Sequence, residues 1–97
     1  MKTTSDISGQ ILNIQEDLHK RFHVKKIGIF GSYSREEQRE GSDIDLIVEF
    51  DTPIGMMAFV HLKNLLENTL GMRVDLVTPD GLHPLIRDQI MRDVVYV

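Results

Sequence analysis

Asp43 and Asp45 are the residues best suited to chemistry, because they stand one residue apart at the start of an apolar run typical of a strand. In an extended strand such residues point to the same face, with their Cα atoms roughly 6.5–7 Å apart. Two carboxylates aimed into one space repel each other unless a cation joins them, and Mg²⁺ commonly binds one or two carboxylates together with substrate phosphates. Taken alone, an Asp-x-Asp pair more often caps a turn and lies on a solvated sheet face, so other residues must decide.

Gly31-Ser32 adds a second feature, at the end of the preceding apolar stretch and before a predicted helix. Such a turn offers backbone N–H groups and a hydroxyl to a phosphate, and a helix N-terminus adds favourable polarity. A Gly-Ser dipeptide alone is usually just a turn, and the chain contains no G-x-x-x-x-G-K-[ST] loop. A phosphate-binding turn on one strand and an acidic pair on the next together predict a site for a metal-bound nucleotide.

Asp75 is the third candidate, an acid between apolar neighbours in the short run Val74-Asp75-Leu76-Val77. In isolation it is equally compatible with an exposed position on an edge strand. If its strand neighbours the strand of Asp43 and Asp45, three carboxylates converge. Three carboxylates can hold two metal ions, which stabilise the attacking and leaving oxygens in phosphoryl transfer.

The hydrophobic pattern predicts the elements that position these residues. Apolar side chains at steps of three and four favour helices, whereas alternation and β-branched runs favour strands. A capping-box pattern, Ser34-x-x-Glu37, predicts a short polar helix after the Gly-Ser turn. The other predicted elements are helices over 5–22, 55–70 and 82–91, strands over 24–30, 44–50 and 73–77, and a terminal edge strand over 94–97. This alternation predicts an α/β (α+β) layer of helices on a sheet, and leaves the strand order open.

Length and composition bound the class of protein. The 97 residues fit one domain over 1–97. A net charge of −4 disfavours a protein that coats nucleic acid, since such binding relies on a basic surface. With no cysteine there is no disulfide framework or thiolate metal site. No apolar run approaches the ~20 residues that span a bilayer, and the N-terminus has no signal-peptide core, so we expect a soluble cytoplasmic protein.

Taken together, the motifs resemble a known family signature. Gly31-Ser32, Arg35 three residues further on, and Ser42-Asp43-Ile44-Asp45 opening the next strand are similar to the signature of the DNA polymerase β-like nucleotidyltransferase superfamily. More narrowly they resemble its minimal nucleotidyltransferase (MNT) group, and Asp75 corresponds to the family's third acid. The resemblance covers nearly the whole chain. One departure is Ser34-Arg35-Glu36 where the family often has Ala-Arg-Gly, which places an acid near the turn.

The resemblance implies a polymerase β-like fold, with helices packed on a small mixed sheet, and a reaction. Asp43 and Asp45 would hold Mg²⁺ against ATP, and Asp75 would complete a site for two ions and help to deprotonate the attacking hydroxyl. The nucleotide would be bound by the turn and its neighbours, namely Gly31, Ser32, Arg35 and Ser42. The product would be AMP transferred to an acceptor, with pyrophosphate released.

The resemblance also implies a partner. MNT proteins similar to this chain pair with HEPN-type toxins, ribonucleases that the nucleotidyltransferase neutralises as an antitoxin by adding AMP to a tyrosine. The alternative is a non-catalytic module that neutralises its partner by occlusion; the three acids count against this alternative, and Glu36 mildly favours it. A polymerase fragment is disfavoured by the acidic charge and small size. Apolar residues left over on the long helices suit either a homo-oligomer or a partner interface.

Overall fold

Four strands form one sheet in the computed structural model, which describes residues 2–97. The strands are β1 Val24–Phe30, β2 Ile44–Phe50, β3 Val74–Val77 and β4 Val95–Tyr96, in the order β3-β2-β1-β4. Strand β2 pairs antiparallel with β1 and parallel with β3, and β1 pairs antiparallel with β4. The mixed sheet confirms the predicted fold class and supplies the order that the pattern left open.

Within residues 2–97, four α-helices accompany the sheet: α1 Thr4–Asn13, α2 Gln15–Phe22, α3 Met56–Leu70 and α4 Pro84–Asp93. The prediction of one continuous helix over 5–22 is wrong, because the backbone of Ile14 leaves the helical conformation, with φ −112° and ψ 13°. The break lets each half reach its own neighbours: α1 packs on α3, whereas α2 packs on both α3 and β1. Gly71 ends α3, in the left-handed conformation at φ 68°.

The core lies between these helices and one face of the sheet. Ile44, Leu46 and Val48 of β2 are fully buried there, as the alternation predicted. They pack with the apolar faces of α1, α2 and α3, which contribute Ile7, Ile11, Leu18, Phe22, Leu62, Leu66 and Leu70. Because side chains alternate along a strand, Asp45, Ile47 and Glu49 point to the opposite face. The acids of β2 therefore lie away from the main core.

A single tight turn replaces the helix predicted from Ser34. The N–H of Arg35 donates to the carbonyl of Gly31 at 3.3 Å, which forms one helical turn. Glu36 then adopts φ 56°, and the N–H of Glu37 donates back to the carbonyl of Ser32 at 2.8 Å. This bonding pattern is that of a Schellman helix stop, so the turn ends as soon as it forms. The predicted helix over this segment is therefore wrong, and no helix N-terminus faces the Gly-Ser turn in residues 31–43.

The last helix starts two residues later than predicted. A short 3₁₀ turn, Pro79–Gly81, precedes it, and Pro84 occupies its first turn. A ring nitrogen of His83 accepts the N–H of Leu85 at 3.2 Å and caps the helix. Strand β4 follows as the predicted edge strand. No helix within residues 2–97 is both long enough and apolar enough to cross a membrane.

Candidate active site

Asp45 and Asp75 form a cross-strand pair. The parallel register of β2 and β3 sets them directly opposite each other, with Asp45 half-buried and Asp75 exposed. Burial raises the pKa of Asp45 to about 6, helped by the charge of Asp75, a hydrogen bond between the two carboxyl groups and the charge of Asp43, while Arg35 acts in the opposite direction. Two acids in contact need either a shared proton or a cation.

Asp43 stands next to this pair but points to a different partner. Its Oδ1 lies 3.0 Å from Nε of Arg73, and the N–H of Ile44 donates to the carbonyl of Arg73 at 3.0 Å. Asp43 and Arg73 therefore lie side by side, each two residues before its counterpart in the Asp45–Asp75 pair. Within residues 2–97, no three acidic, histidine or cysteine side chains gather closely enough to enclose a metal ion. Of the three predicted ligands, Asp45 and Asp75 therefore lie together, whereas Asp43 forms an ion pair with Arg73.

Gly31 lies directly against the acidic pair. It follows the last residue of β1, Phe30, which is the register partner of Asp45. Its φ is 73°, and a Cβ at this position would stand only 2.2 Å from Oδ2 of Asp45. Sequence reasoning predicted Gly31 as part of a phosphate-binding turn. The structure adds two reasons for glycine, since a side chain would be strained at this positive φ and would force the Asp45 carboxylate to shift.

The other predicted nucleotide-binding residues lie on the two loops that flank the acids. Ser32 follows Gly31 and is half-buried, and its carbonyl closes the turn. Arg35 lies near enough for its charge to lower the pKa of Asp45, and its Nε is 3.3 Å from a carboxylate oxygen of Glu37. The hydroxyl of Ser42 accepts the N–H of Arg39 at 3.0 Å, so it shapes the loop that leads into β2. Their roles in binding a nucleotide stay predictions.

Two cavities open beside these residues. One, of about 560 Å³, lies between Gly31 and helix α4, and its lining includes Phe30, Arg35, Gln89, Ile90, Arg92 and Asp93. The other, of about 580 Å³, lies beside Asp43 and Arg73. A further cavity of about 590 Å³, between Phe50 and Phe59, contains none of the predicted site residues. One cavity thus adjoins the Gly31 turn and the other adjoins Asp43, and arginine side chains line both.

Two contributors to the candidate site were not predicted from the sequence. Arg73 could have been found, because it stands two residues before Asp75 and alternation places the two on one face. The wall provided by α4, with Gln89 and Arg92, left no local signal, because it depends on how the last helix packs.

The donor set suits magnesium. Carboxylate oxygens are the ligands that Mg²⁺ prefers, and it commonly retains waters while binding one or two of them. Burial is the main cause of the raised pKa of Asp45, and the charges of Asp75 and Asp43 add to it; a divalent cation would relieve this charge repulsion. Asp45, Asp75 and Asp43 are the residues that would hold the ion.

Comparison with known proteins places the chain among nucleotide-transferring enzymes. The nucleotidyltransferase domain family matches residues 10–97. The protein adenylyltransferase MntA of Thermococcus cleftensis is 40% identical over 97 residues, which are 100% of this chain and 98% of the relative. A solved structure provisionally described as a minimal nucleotidyltransferase has 31% identity and a TM-score of 0.83, over 97% of this chain and 95% of its own. A toxin–antitoxin crystal structure with AMP-PNP has 26% identity and a TM-score of 0.75, over 92% of this chain and 70% of its own.

Proposed function

Because this chain belongs to the nucleotidyltransferase domain family, we propose that it is a magnesium-dependent enzyme that transfers AMP from ATP to a tyrosine hydroxyl of a HEPN-type toxin. It would act in the cytoplasm as the antitoxin of that partner. The observation that carries the proposal is the Asp45–Asp75 pair, which lies against the Gly31 turn and in which burial and the neighbouring acids raise the pKa of Asp45.

The chemistry is an in-line exchange at the α-phosphorus of ATP. The acceptor oxygen forms a bond to that phosphorus, the bond from the phosphorus to the α–β bridging oxygen breaks, and pyrophosphate leaves. Asp75, the exposed member of the pair, receives the proton of the acceptor hydroxyl. The turn at Gly31 and Ser32 binds the terminal phosphates through backbone N–H groups. Mg²⁺ held by the three aspartates would neutralise their charge and that of the phosphate oxygens.

The relatives support the choice of nucleotide and of partner. A relative that is 40% identical over the full length of this chain carries the name protein adenylyltransferase. The solved toxin–antitoxin complex contains AMP-PNP, an ATP analogue. This chain matches that complex over 92% of its length, so the same nucleotide and the same class of partner are the natural candidates here.

The test uses the chain together with its cognate toxin, ATP labelled at the adenine, and Mg²⁺. We expect label on the toxin with the wild type and none with the double variant Asp43→Asn/Asp45→Asn. Binding of the toxin by the double variant, measured by co-purification, separates lost chemistry from lost contact. A toxin that stays unlabelled by the wild type yet is fully inhibited would overturn the proposal and leave occlusion as the function.

A further inference from the structure

Arg73 is the one cation that directly contacts a predicted metal ligand in the described part of the chain. Its Nε lies 3.0 Å from Oδ1 of Asp43, although its side chain is 79% exposed and that of Asp43 is 50% exposed. An ion pair this exposed shifts an equilibrium by no more than about fivefold, so a competing ligand can displace it. The Arg73–Asp43 ion pair can therefore form and break readily.

Two neighbouring residue pairs across strands β2 and β3 differ in the charges that they bring together. Asp45 lies opposite Asp75, so two acids meet there. Two residues earlier along the chain, Asp43 instead contacts the guanidinium of Arg73. Asp43 is close enough to raise the pKa of Asp45, yet its carboxylate is engaged with the guanidinium. The three acids would enclose an ion together only once Asp43 leaves Arg73.

We propose that Arg73 competes with the divalent cation for Asp43. While no cation is bound, Arg73 neutralises one of three crowded acids; when the ion arrives, the guanidinium withdraws and Asp43 completes the ligand set. The cavity of about 580 Å³ beside both residues, walled by Gly41, Ser42 and Met72, gives the side chain room to move. This inference rests on the metal site of the proposed function.

The test measures Mn²⁺ binding to the full chain without nucleotide, from the electron paramagnetic resonance signal of free Mn²⁺. We expect Arg73→Gln to tighten Mn²⁺ binding about two- to fivefold, because the competitor is gone. The same substitution in an Asp43→Asn background should leave the affinity unchanged. The matched control is Arg21→Gln, which breaks another exposed Arg–Asp pair, with Asp17, and removes the same charge from helix α2.

The outcomes separate the two proposals. Unchanged or weaker Mn²⁺ binding by Arg73→Gln overturns the competition, as does equal tightening in the Asp43→Asn background or in Arg21→Gln. Mn²⁺ binding by the wild type that Asp45→Asn abolishes supports the metal site, whatever Arg73 does. A wild type that binds no Mn²⁺ overturns both the metal site and the competition.

Discussion

Replacing Asp45 by asparagine should stabilise the metal-free protein while destroying its activity. In the unfolded chain Asp45 loses its proton near pH 3.8, but in the folded chain only near pH 6. Between these values the folded state binds the proton more tightly, so the wild type loses stability as the pH rises from 4 to 6 and does not regain it above. Asparagine keeps the shape of the side chain without the charge, so it avoids this loss.

The size of the gain follows from the same values. The pKa of Asp45 differs between 3.8 in the unfolded chain and about 6 in the folded chain. At neutral pH this difference corresponds to a loss of about 3 kcal/mol in the free energy of unfolding. Asp45 is only half-buried, and solvent screening reduces this to about 1–2 kcal/mol. The gain shrinks as the pH falls towards the unfolded pKa of 3.8 and vanishes below it, where both states are protonated; at pH 4, just above that value, we expect less than about 0.5 kcal/mol.

Urea unfolding in EDTA, at pH 7.5 and at pH 4, measures the difference in stability between Asp45→Asn and the wild type at each pH. The control is Asp88→Asn, which removes the same charge from an exposed position on α4 and should change stability by less than about 0.5 kcal/mol at either pH. The reasoning is refuted if Asp45→Asn is no more stable than the wild type at pH 7.5, or if its advantage is the same at both values of pH.

Three further substitutions test the backbone around the site and the first helix. Gly31→Ala should reduce AMP transfer by about 100-fold or more and cost about 1–2 kcal/mol, since its Cβ would overlap Asp45; near-normal turnover with folded protein would contradict this. Glu36→Gly should raise the free energy of unfolding by about 0.5–1 kcal/mol, because Glu36 occupies a left-handed position at φ 56° that glycine adopts freely; a less stable variant in urea would be the opposing result. Thr3→Ala removes the side chain that accepts the N–H of Asp6 in the capping box of α1, and should cost about 1 kcal/mol; an unchanged urea midpoint would count against that box.

The strand that carries Asp45 could be predicted because apolar and acidic residues alternate along it. Ile44, Leu46 and Val48 are buried on one face, and Asp45 and Glu49 are half-buried on the other; Ile47, which shares their face, is also buried. The pairing of Asp45 with Asp75 was not open to prediction from the pattern, because it depends on the order and register of strands distant in sequence.

The capping boxes show how ambiguous a short pattern is. The Ser34-x-x-Glu37 pattern suggested a helix that does not form, while Thr3-x-x-Asp6 forms both bonds of a real box. The residues on the C-terminal side of each pattern make the difference, because a short helix depends on tertiary packing for its stability. Buried Ile7 and Ile11 hold α1 on the core, whereas the segment after Glu36 is polar and mostly exposed.

The position of the label in ATP tests the central claim, that these acids support transfer of AMP. The chain and the proposed HEPN-type toxin are incubated with Mg²⁺ and ATP labelled either at the α-phosphate or at the γ-phosphate, and the toxin is then isolated. We expect the α-label to appear on the toxin and the γ-label to leave as pyrophosphate, with both results lost in Asp45→Asn. Transfer of the γ-label, or of neither label, would contradict the account.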